Sequence, residues 1–222
     1  MKKIPGTLLI LMIVACAPHG VRAQSQVPQI DDQLWTDVQL TVPLNKQFDF
    51  LLQGTVRLGG DVSTLVDQRI GTGFNFKATR YLTFNELYLH REARPANGRQ
   101  EREERLTLGA TVRIPIGKYT ASARPWLERR WREPQVDSWR FRERVQLEHP
   151  FAINKAKFTW FVYDEVYYDF AAKAWTRNRV AIGASHAFNK HFTADLFYLK
   201  QNDRRTRPAE VNTIGTALRF KL

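Results

Sequence analysis

The sequence has almost no cysteine and, after its first 23 residues, no long apolar run. Cys16 is the only cysteine among 222 residues, so no disulfide can form within the chain. No later apolar stretch approaches the roughly 20 residues that a transmembrane helix needs, and none repeats with a helical period over several turns. The chain must therefore build its fold without disulfides or apolar helices, which leaves strands joined by backbone hydrogen bonds.

The first residues have the organisation of an export signal. Two lysines open the segment, residues 8–15 form an apolar run, and residues 21–23 (Val-Arg-Ala) place small side chains where a signal peptidase cleaves. The apolar run is too short to cross a bilayer as a helix. We therefore predict a signal peptide at residues 1–23 and one mature domain at residues 24–222.

Cys16 allows a second interpretation of the same segment. Residues 13–16 (Ile-Val-Ala-Cys) resemble a lipobox, in which the cysteine would carry a lipid. Otherwise Cys16 is discarded with the signal. Both interpretations place the protein in the envelope of a Gram-negative cell, and we expect the cell outer membrane.

Basic residues exceed acidic residues in this chain. There are 34 Lys and Arg against 22 Asp and Glu, which gives a formal charge of +12, and removal of the export segment with its three basic residues leaves +9. Such a balance suits nucleic acid, an anionic membrane surface or an anionic solute. Export excludes nucleic acid, so the expected partners are outer-membrane lipid, lipopolysaccharide and, as an open alternative, small anionic solutes.

Apolar and polar residues alternate along nearly all of the mature chain. Residues 138–149, for example, place Trp139 and Phe141 on one face and Arg140 and Arg142 on the other. A period of two is typical of strands, and segments of this kind separated by turn residues are typical of membrane β-barrels. Eleven such segments occur, at 34–43, 46–58, 65–78, 81–92, 102–114, 118–131, 138–149, 157–169, 175–188, 191–201 and 211–222.

The connections between these segments alternate between short turns and longer polar stretches. Because such barrels have short periplasmic turns and longer extracellular loops, the first and the last segment should both run toward the periplasm. Bacterial single-chain barrels have even strand numbers. We therefore expect an all-β fold, a single antiparallel transmembrane β-barrel of about 12 strands, with a weak extra strand at 24–33, or alternatively 10 strands.

Aromatic residues favour a membrane barrel over a soluble β-sandwich. They make up 12% of the chain and recur on the apolar face. Trp and Tyr near the ends of predicted strands suit the aromatic girdles of a membrane interface, and these residues are Trp35, Tyr81, Tyr88, Trp126, Trp131 and Trp175. Glu86, Glu143 and Asp164 break the alternation, and a bulge or a position above the hydrocarbon band would reconcile them with it.

Short runs along the mature chain resemble a known family. They are Trp35, residues 127–131 (Leu-Glu-Arg-Arg-Trp), 140–144 (Arg-Phe-Arg-Glu-Arg), 149–151 (His-Pro-Phe), 163–165 (Tyr-Asp-Glu), 177–179 (Arg-Asn-Arg) and Gly183. Over residues 34–222 the chain resembles the outer-membrane β-barrel family DUF2490, a domain of unknown function. The resemblance implies an outer-membrane barrel and no established activity. Barrels often end in an aromatic residue that the assembly machinery reads, whereas this chain ends in Leu222 with Phe220 before it. We still expect that machinery to recognise the C-terminal strand.

The polar face carries many arginines, which the alternation turns toward the barrel interior. We expect Glu128 to pair with Arg130, and Glu165 with Arg177 and Arg179. One interpretation is an ion-pair network that fills the interior and braces the wall. The other is a narrow channel that prefers small acidic solutes. The expected lumen-lining residues are the basic Arg57, Arg69, Arg105, Arg113, Arg124, Arg130, Arg140, Arg142, Arg144, Arg177, Arg179 and Arg219 and the acidic Glu128, Glu148 and Glu165.

Catalytic and cofactor motifs are missing from the sequence. No metal-ligand spacing, phosphate loop or nucleotide fingerprint occurs, and we expect no cofactor. A barrel enzyme would need a histidine with an acidic partner at one rim, and His90, with Glu86 and Glu92 nearby, is the candidate. We expect a barrel that is not an enzyme, with a rim-located membrane enzyme as the remaining alternative.

Overall fold

The computed structural model describes residues 30–94 and 100–222, which form eleven strands in one sheet. The predicted signal peptide, and most of the expected extra strand at 24–33, lie outside the described residues. In the described part of the chain, no helix is long and apolar enough to cross a membrane. The strands are β1 (Ile30–Pro43), β2 (Phe48–Gly59), β3 (Thr64–Lys77), β4 (Leu82–Ala93), β5 (Glu101–Ile116), β6 (Tyr119–Glu133), β7 (Ser138–Ile153), β8 (Ala156–Asp169), β9 (Ala174–Ala187), β10 (Phe192–Asp203) and β11 (Glu210–Lys221).

The sheet closes on itself through one parallel pair of strands. Neighbours in sequence pair antiparallel, whereas β1 pairs with β11 in parallel, from Ile30 opposite Glu210 to Thr41 opposite Lys221. The predicted all-β single barrel is confirmed. The expected number of 12 or 10 strands is corrected to eleven for the described residues. An even number is required only when every neighbouring pair is antiparallel, and one parallel pair removes that requirement.

The two ends of the barrel differ in their connections. We call one end the turn end, because its connections span two to four residues, and the other the loop end, because its connections span four to seven. The turn-end connections are 44–47, 78–81, 117–118, 154–155 and 188–191, and the loop-end connections are 60–63, 94–100, 134–137, 170–173 and 204–209. The difference in length is small, so the assignment of either end to the cell surface stays a prediction.

The barrel is apolar outside and charged inside, which is the reverse of a soluble protein. Large apolar side chains on the outer wall are highly exposed, with Ile70, Ile182 and Leu196 each at 60%. The buried charged residues instead face the interior, beside one apolar cluster that includes Phe161 and Leu199. A wall of this polarity is stable when hydrocarbon surrounds it, so the chain is a barrel of the outer-membrane type.

Two aromatic residues expected at the membrane interface lie inside the barrel instead. Trp35 is only 3% exposed, and Trp126 lines an interior cavity with its ring centroid 4.1 Å from the Arg124 guanidinium. The alternation decides their direction, since Trp126 stands two residues from each of the inward-facing Arg124 and Glu128. The other four, Tyr81, Tyr88, Trp131 and Trp175, are 39 to 46% exposed.

Three acidic residues occupy positions on the outer wall of the barrel, where the alternation otherwise places apolar side chains. Glu86 and Asp164 are exposed, and Glu143 is half-buried. The register shifts in the described strands lie between Arg57 and Leu58 and between Tyr167 and Tyr168, so a bulge does not turn any of the three inward. Asp164 accepts a hydrogen bond of 2.5 Å from the Asn178 side chain on β9, which satisfies part of the hydrogen-bonding capacity of its carboxylate.

Candidate functional site

The barrel interior holds two cavities that meet at its middle. The turn-end cavity has a volume of about 630 Å³ and the loop-end cavity about 1460 Å³. Six side chains border both of them, and these separate the cavities: Trp35, Arg57, Arg69, Arg105, Arg142 and Arg179. Five of these six carry a permanent positive charge.

The structure places all twelve of the expected arginines at these cavities. Besides the five that border both, the turn-end cavity is lined by Arg113, Arg124, Arg144 and Arg219, and the loop-end cavity by Arg130, Arg140 and Arg177. Glu128 and Glu148 line the turn-end cavity. Glu165 is completely buried beneath arginine side chains. Alternation along straight strands suffices to turn all of them inward.

Glu165 lies at the centre of the largest ion-pair cluster. Its Oε1 accepts hydrogen bonds from Arg142 at 2.7 Å, Arg144 at 2.9 Å and Arg124 at 3.2 Å. Its Oε2 accepts a hydrogen bond of 2.5 Å from the Tyr167 hydroxyl. Three guanidinium groups thus share one carboxylate that no solvent reaches, which holds β6, β7 and β8 together.

Glu128 and Glu103 repeat this arrangement at other heights of the barrel. Glu128 is 2.5 Å from Arg140 and 3.7 Å from Arg105, and none of its surface is exposed. Glu103 is 2.6 Å from Arg105 and 2.8 Å from Arg130. Arg105 therefore links the two carboxylates.

One of the three expected ion pairs forms, and the other two are replaced by different partners. Glu128 pairs with Arg140 rather than Arg130, because Arg140 is directly opposite it on β7. Glu165 lies 3.7 Å from Arg179, which is opposite it on β9, as expected. Arg177 binds Asp203 on β10 at 2.6 Å instead. The cross-strand register selects these three pairs, whereas Arg105 and Glu103 pair along one strand.

Several interior charges near the ends of the strands were missing from the expected set of lining residues. Arg91 binds Asp67 at 2.6 Å near the loop end. Glu103, Asp169 and Asp203 belong to the same loop-end half of the barrel, where β5 begins one residue earlier and β10 ends two residues later than expected. Arg91, Glu103 and Asp169 lie within the predicted segments, and only Asp203 lies beyond its segment, so applying the period-two pattern up to the ends of the segments would have included the first three.

Arg57 differs from the other interior arginines, because none of the ion pairs among the described residues includes it. Its side chain is buried, with 8% of the residue exposed, and its Nε has no hydrogen-bond partner there. The guanidinium carbon lies 3.6 Å from the Trp35 ring centroid. Arg179 approaches the same ring to 4.9 Å. Two cations therefore share one aromatic ring at the boundary between the cavities.

The four histidines among the described residues line neither cavity. His90 faces outward near the loop end, where its Nδ1 is 2.5 Å from Glu104 and its Nε2 is 3.7 Å from Glu92. Its expected neighbour Glu86 is not among these partners. His149 and His186 stack with aromatic rings of Trp160 and Phe158. Within residues 30–94 and 100–222, no group of His, Cys, Asp and Glu has the geometry to hold a metal ion.

Comparison with curated proteins finds no match for this chain. Among solved structures, LpxR from Salmonella typhimurium is 12% identical, with a TM-score of 0.47 over 78% of this chain and 83% of that one. An anion-selective porin from Comamonas acidovorans is 14% identical (TM-score 0.37; 78% and 55%). The siderophore receptor PirA from Pseudomonas aeruginosa is 10% identical (TM-score 0.31; 74% and 34%). Structural similarity at these TM-scores does not indicate a shared function. The model of a family described as proteins of unknown function, DUF2490, matches residues 32–212, so this chain belongs to the DUF2490 family.

Proposed function

We propose that this protein is an outer-membrane barrel whose interior forms a narrow path that prefers small anions. This proposal depends on the excess of arginine over acidic residues along the described lining of both cavities. The turn-end cavity is lined by nine arginines and four acidic residues, and the loop-end cavity by thirteen arginines and seven acidic residues. Arginine stays charged at any physiological pH, so the excess attracts anions under all growth conditions.

The ion pairs would keep the path open by holding the arginine side chains against the barrel wall. A long cationic side chain that was free to move would cross the lumen and obstruct it. Carboxylates such as Glu165 and Glu128 instead fix three or more guanidiniums each in place. The network therefore braces the barrel and keeps a positive lining around the two cavities.

The outer surface supports placement in the outer membrane. The apolar outer wall would contact lipid, and exposed basic loop residues at the loop end would contact lipopolysaccharide phosphates. Phe220 near the end of β11 and Leu222 directly after that strand are 39% and 69% exposed. We propose that these two side chains serve in recognition of the C-terminal strand by the barrel-assembly machinery.

The proposal includes no catalytic step. His90, the histidine with carboxylates closest to it, faces away from both cavities. Release of fatty acid from lipid vesicles by the reconstituted protein, abolished by His90→Ala, would contradict a purely non-enzymatic role.

Ion selectivity in planar lipid bilayers tests the proposed path. We expect the full mature protein to form discrete channels in a KCl gradient. Their reversal potential should lie closer to the equilibrium potential of chloride than to that of potassium. Arg113 and Arg219 line the turn-end cavity with side chains 57% and 44% exposed, but their partners Glu148 and Asp195 are only 13% and 8% exposed, so circular dichroism must first establish that the variant folds. Arg113→Gln combined with Arg219→Gln leaves Glu148 and Asp195 without these partners. The reversal potential of this variant should then shift toward the equilibrium potential of potassium.

A matched control removes the same charge from the outer wall. Arg102 and Lys200 face outward and are 60% and 48% exposed, so Arg102→Gln with Lys200→Gln should leave the selectivity unchanged. A wild-type reversal potential on the potassium side would refute the anion preference. Absence of any channel in a correctly folded preparation would mean a closed barrel, in which the network has only a structural role.

A further inference from the structure

We propose that Arg57, Trp35 and Arg179 form a binding site for a small oxyanion, a carboxylate or a phosphate, at the boundary between the two cavities. This inference rests on the proposed function in so far as an anion must enter the lumen. It goes further by naming where the anion binds and which side chains hold it.

Arg57 is the first observation that points to a ligand. A buried charge is costly unless it is paired, and the arginines of the neighbouring clusters each have a carboxylate. No carboxylate among the described residues lies within ion-pair distance of Arg57, on which Asp67 and Asp37 act only from farther away; its guanidinium carbon is 3.6 Å from the Trp35 ring centroid, and its Nε has no acceptor there. A cation over an aromatic ring recovers part of the lost hydration. The Arg57 residue lines both cavities, from either of which an anion would approach it.

Arg179 supplies the second cation, because it approaches the same Trp35 ring from β9. Its Nε donates to Gln201 at 2.7 Å and its Nη1 donates to the Tyr167 hydroxyl at 2.7 Å. Both acceptors are neutral. The closest carboxylate, Glu165, lies 3.7 Å away and already accepts hydrogen bonds from three other arginines. The charge of Arg179 is therefore only partly neutralised by the protein.

The third neighbour, Arg69, shows why these two arginines in particular bind the anion. Arg69 borders both cavities as well, yet its Nε and Nη2 donate to the two oxygens of Asp67 at 2.6 and 3.0 Å. A carboxylate thus fills the donor fork of Arg69, whereas no such group fills that of Arg57. Because a guanidinium fork matches a carboxylate or phosphate with two parallel hydrogen bonds, an oxyanion fits this site better than a spherical halide.

Trp35 gives the site its own spectroscopic signal. An anion that binds Arg57 changes the contact between its guanidinium and the indole ring, and hence the fluorescence of Trp35. We would titrate the full mature protein in detergent with inorganic phosphate and, separately, with acetate, replacing sodium chloride at constant ionic strength. We expect a saturable fluorescence change with one or both oxyanions, and the two titrations tell the phosphate and carboxylate classes apart.

Variants assign the signal to the site. Arg57→Gln should weaken the binding at least tenfold, and Arg57→Lys should weaken it while keeping the charge, because lysine lacks the donor fork. Trp35→Phe should abolish the fluorescence change. Arg102→Gln, on the outer wall, is the matched control and should bind as the wild type does. If Arg57→Gln does not fold, the oxyanion affinity of Arg57→Lys relative to the wild type tests the site.

The outcomes separate this inference from the proposed function. Unchanged binding in both Arg57 variants, or no saturable binding of either oxyanion to the wild type, overturns the site, even if the channel prefers anions. Binding that depends on Arg57 in a protein without conductance supports the site and rejects the path.

Discussion

Neutralising Glu165 should destabilise the barrel more than neutralising any exposed carboxylate. In Glu165→Gln the shape of the side chain is kept, but the carboxylate shared by Arg124, Arg142 and Arg144 loses its charge. One of the two new polar atoms is an amide nitrogen, a donor that would face other donors. Breaking a buried pair by removing one partner costs about 3–5 kcal/mol, and the lack of any exposed surface at Glu165 places this variant in that class.

The matched control is Glu210→Gln on the outer wall. Glu210 is 3.1 Å from Lys200, and the two side chains are 32% and 48% exposed. Exposed pairs of this kind contribute roughly 0–1 kcal/mol. Denaturant unfolding of the refolded protein in detergent, followed by tryptophan fluorescence and circular dichroism, measures both variants. Equal losses of unfolding free energy in the two variants would refute the assignment of Glu165 as the centre of the network.

A double variant tests whether the cost is electrostatic. If Glu165→Gln destabilises by leaving guanidiniums without a counter-charge, then removing one guanidinium as well, with Arg144→Gln, should recover part of the loss. Coupling between contacting residues is typically about 0.5–3 kcal/mol. Strictly additive losses would mean that packing, and not charge, sets the effect.

Two further predictions concern the wall of the barrel. Gly73→Ala should prevent normal barrel assembly, because a Cβ there would lie 2.0 Å from the Glu86 carbonyl oxygen. Gly54→Ala should be tolerated, because the nearest atom to its Cβ would be 3.9 Å away. Heat-dependent mobility on gels compares the two variants, and equal mobility would contradict the β3–β4 register. Thr36→Cys with Thr216→Cys should form a disulfide across the parallel seam, since the two hydroxyl oxygens are 3.3 Å apart and the predicted mature chain has no other cysteine; a reduced double variant under oxidising conditions would contradict the eleven-stranded closure.

The strands and the direction of their side chains could be predicted because both are local properties. Successive side chains of a strand point to opposite faces whatever the strand pairs with. The segment predicted at 138–149, for instance, corresponds to β7, Ser138–Ile153, whose residues Arg140, Arg142 and Arg144 are among those that line the two cavities. The same rule would have turned Trp126 inward, had it been applied to that residue in place of the general preference of tryptophan for interfaces.

The number of strands could not be obtained from the same information. The connection lengths already implied that the first and the last strand run in the same direction, and eleven segments were visible. Only the pairing of β1 with β11 reveals that a parallel seam closes the barrel. That pairing joins residues about 180 positions apart, and no local pattern encodes it.

The sequence by itself determined that this chain forms strands, that one face of them is apolar and that the opposite face carries arginine. The tertiary structure alone decided which charges meet. Glu165 on β8 gathers arginines from β6 and β7, and Trp35 on β1 meets Arg57 from β2 and Arg179 from β9. These contacts depend on the register between strands and on the width of the closed barrel, because both set the distances between side chains that are remote along the chain.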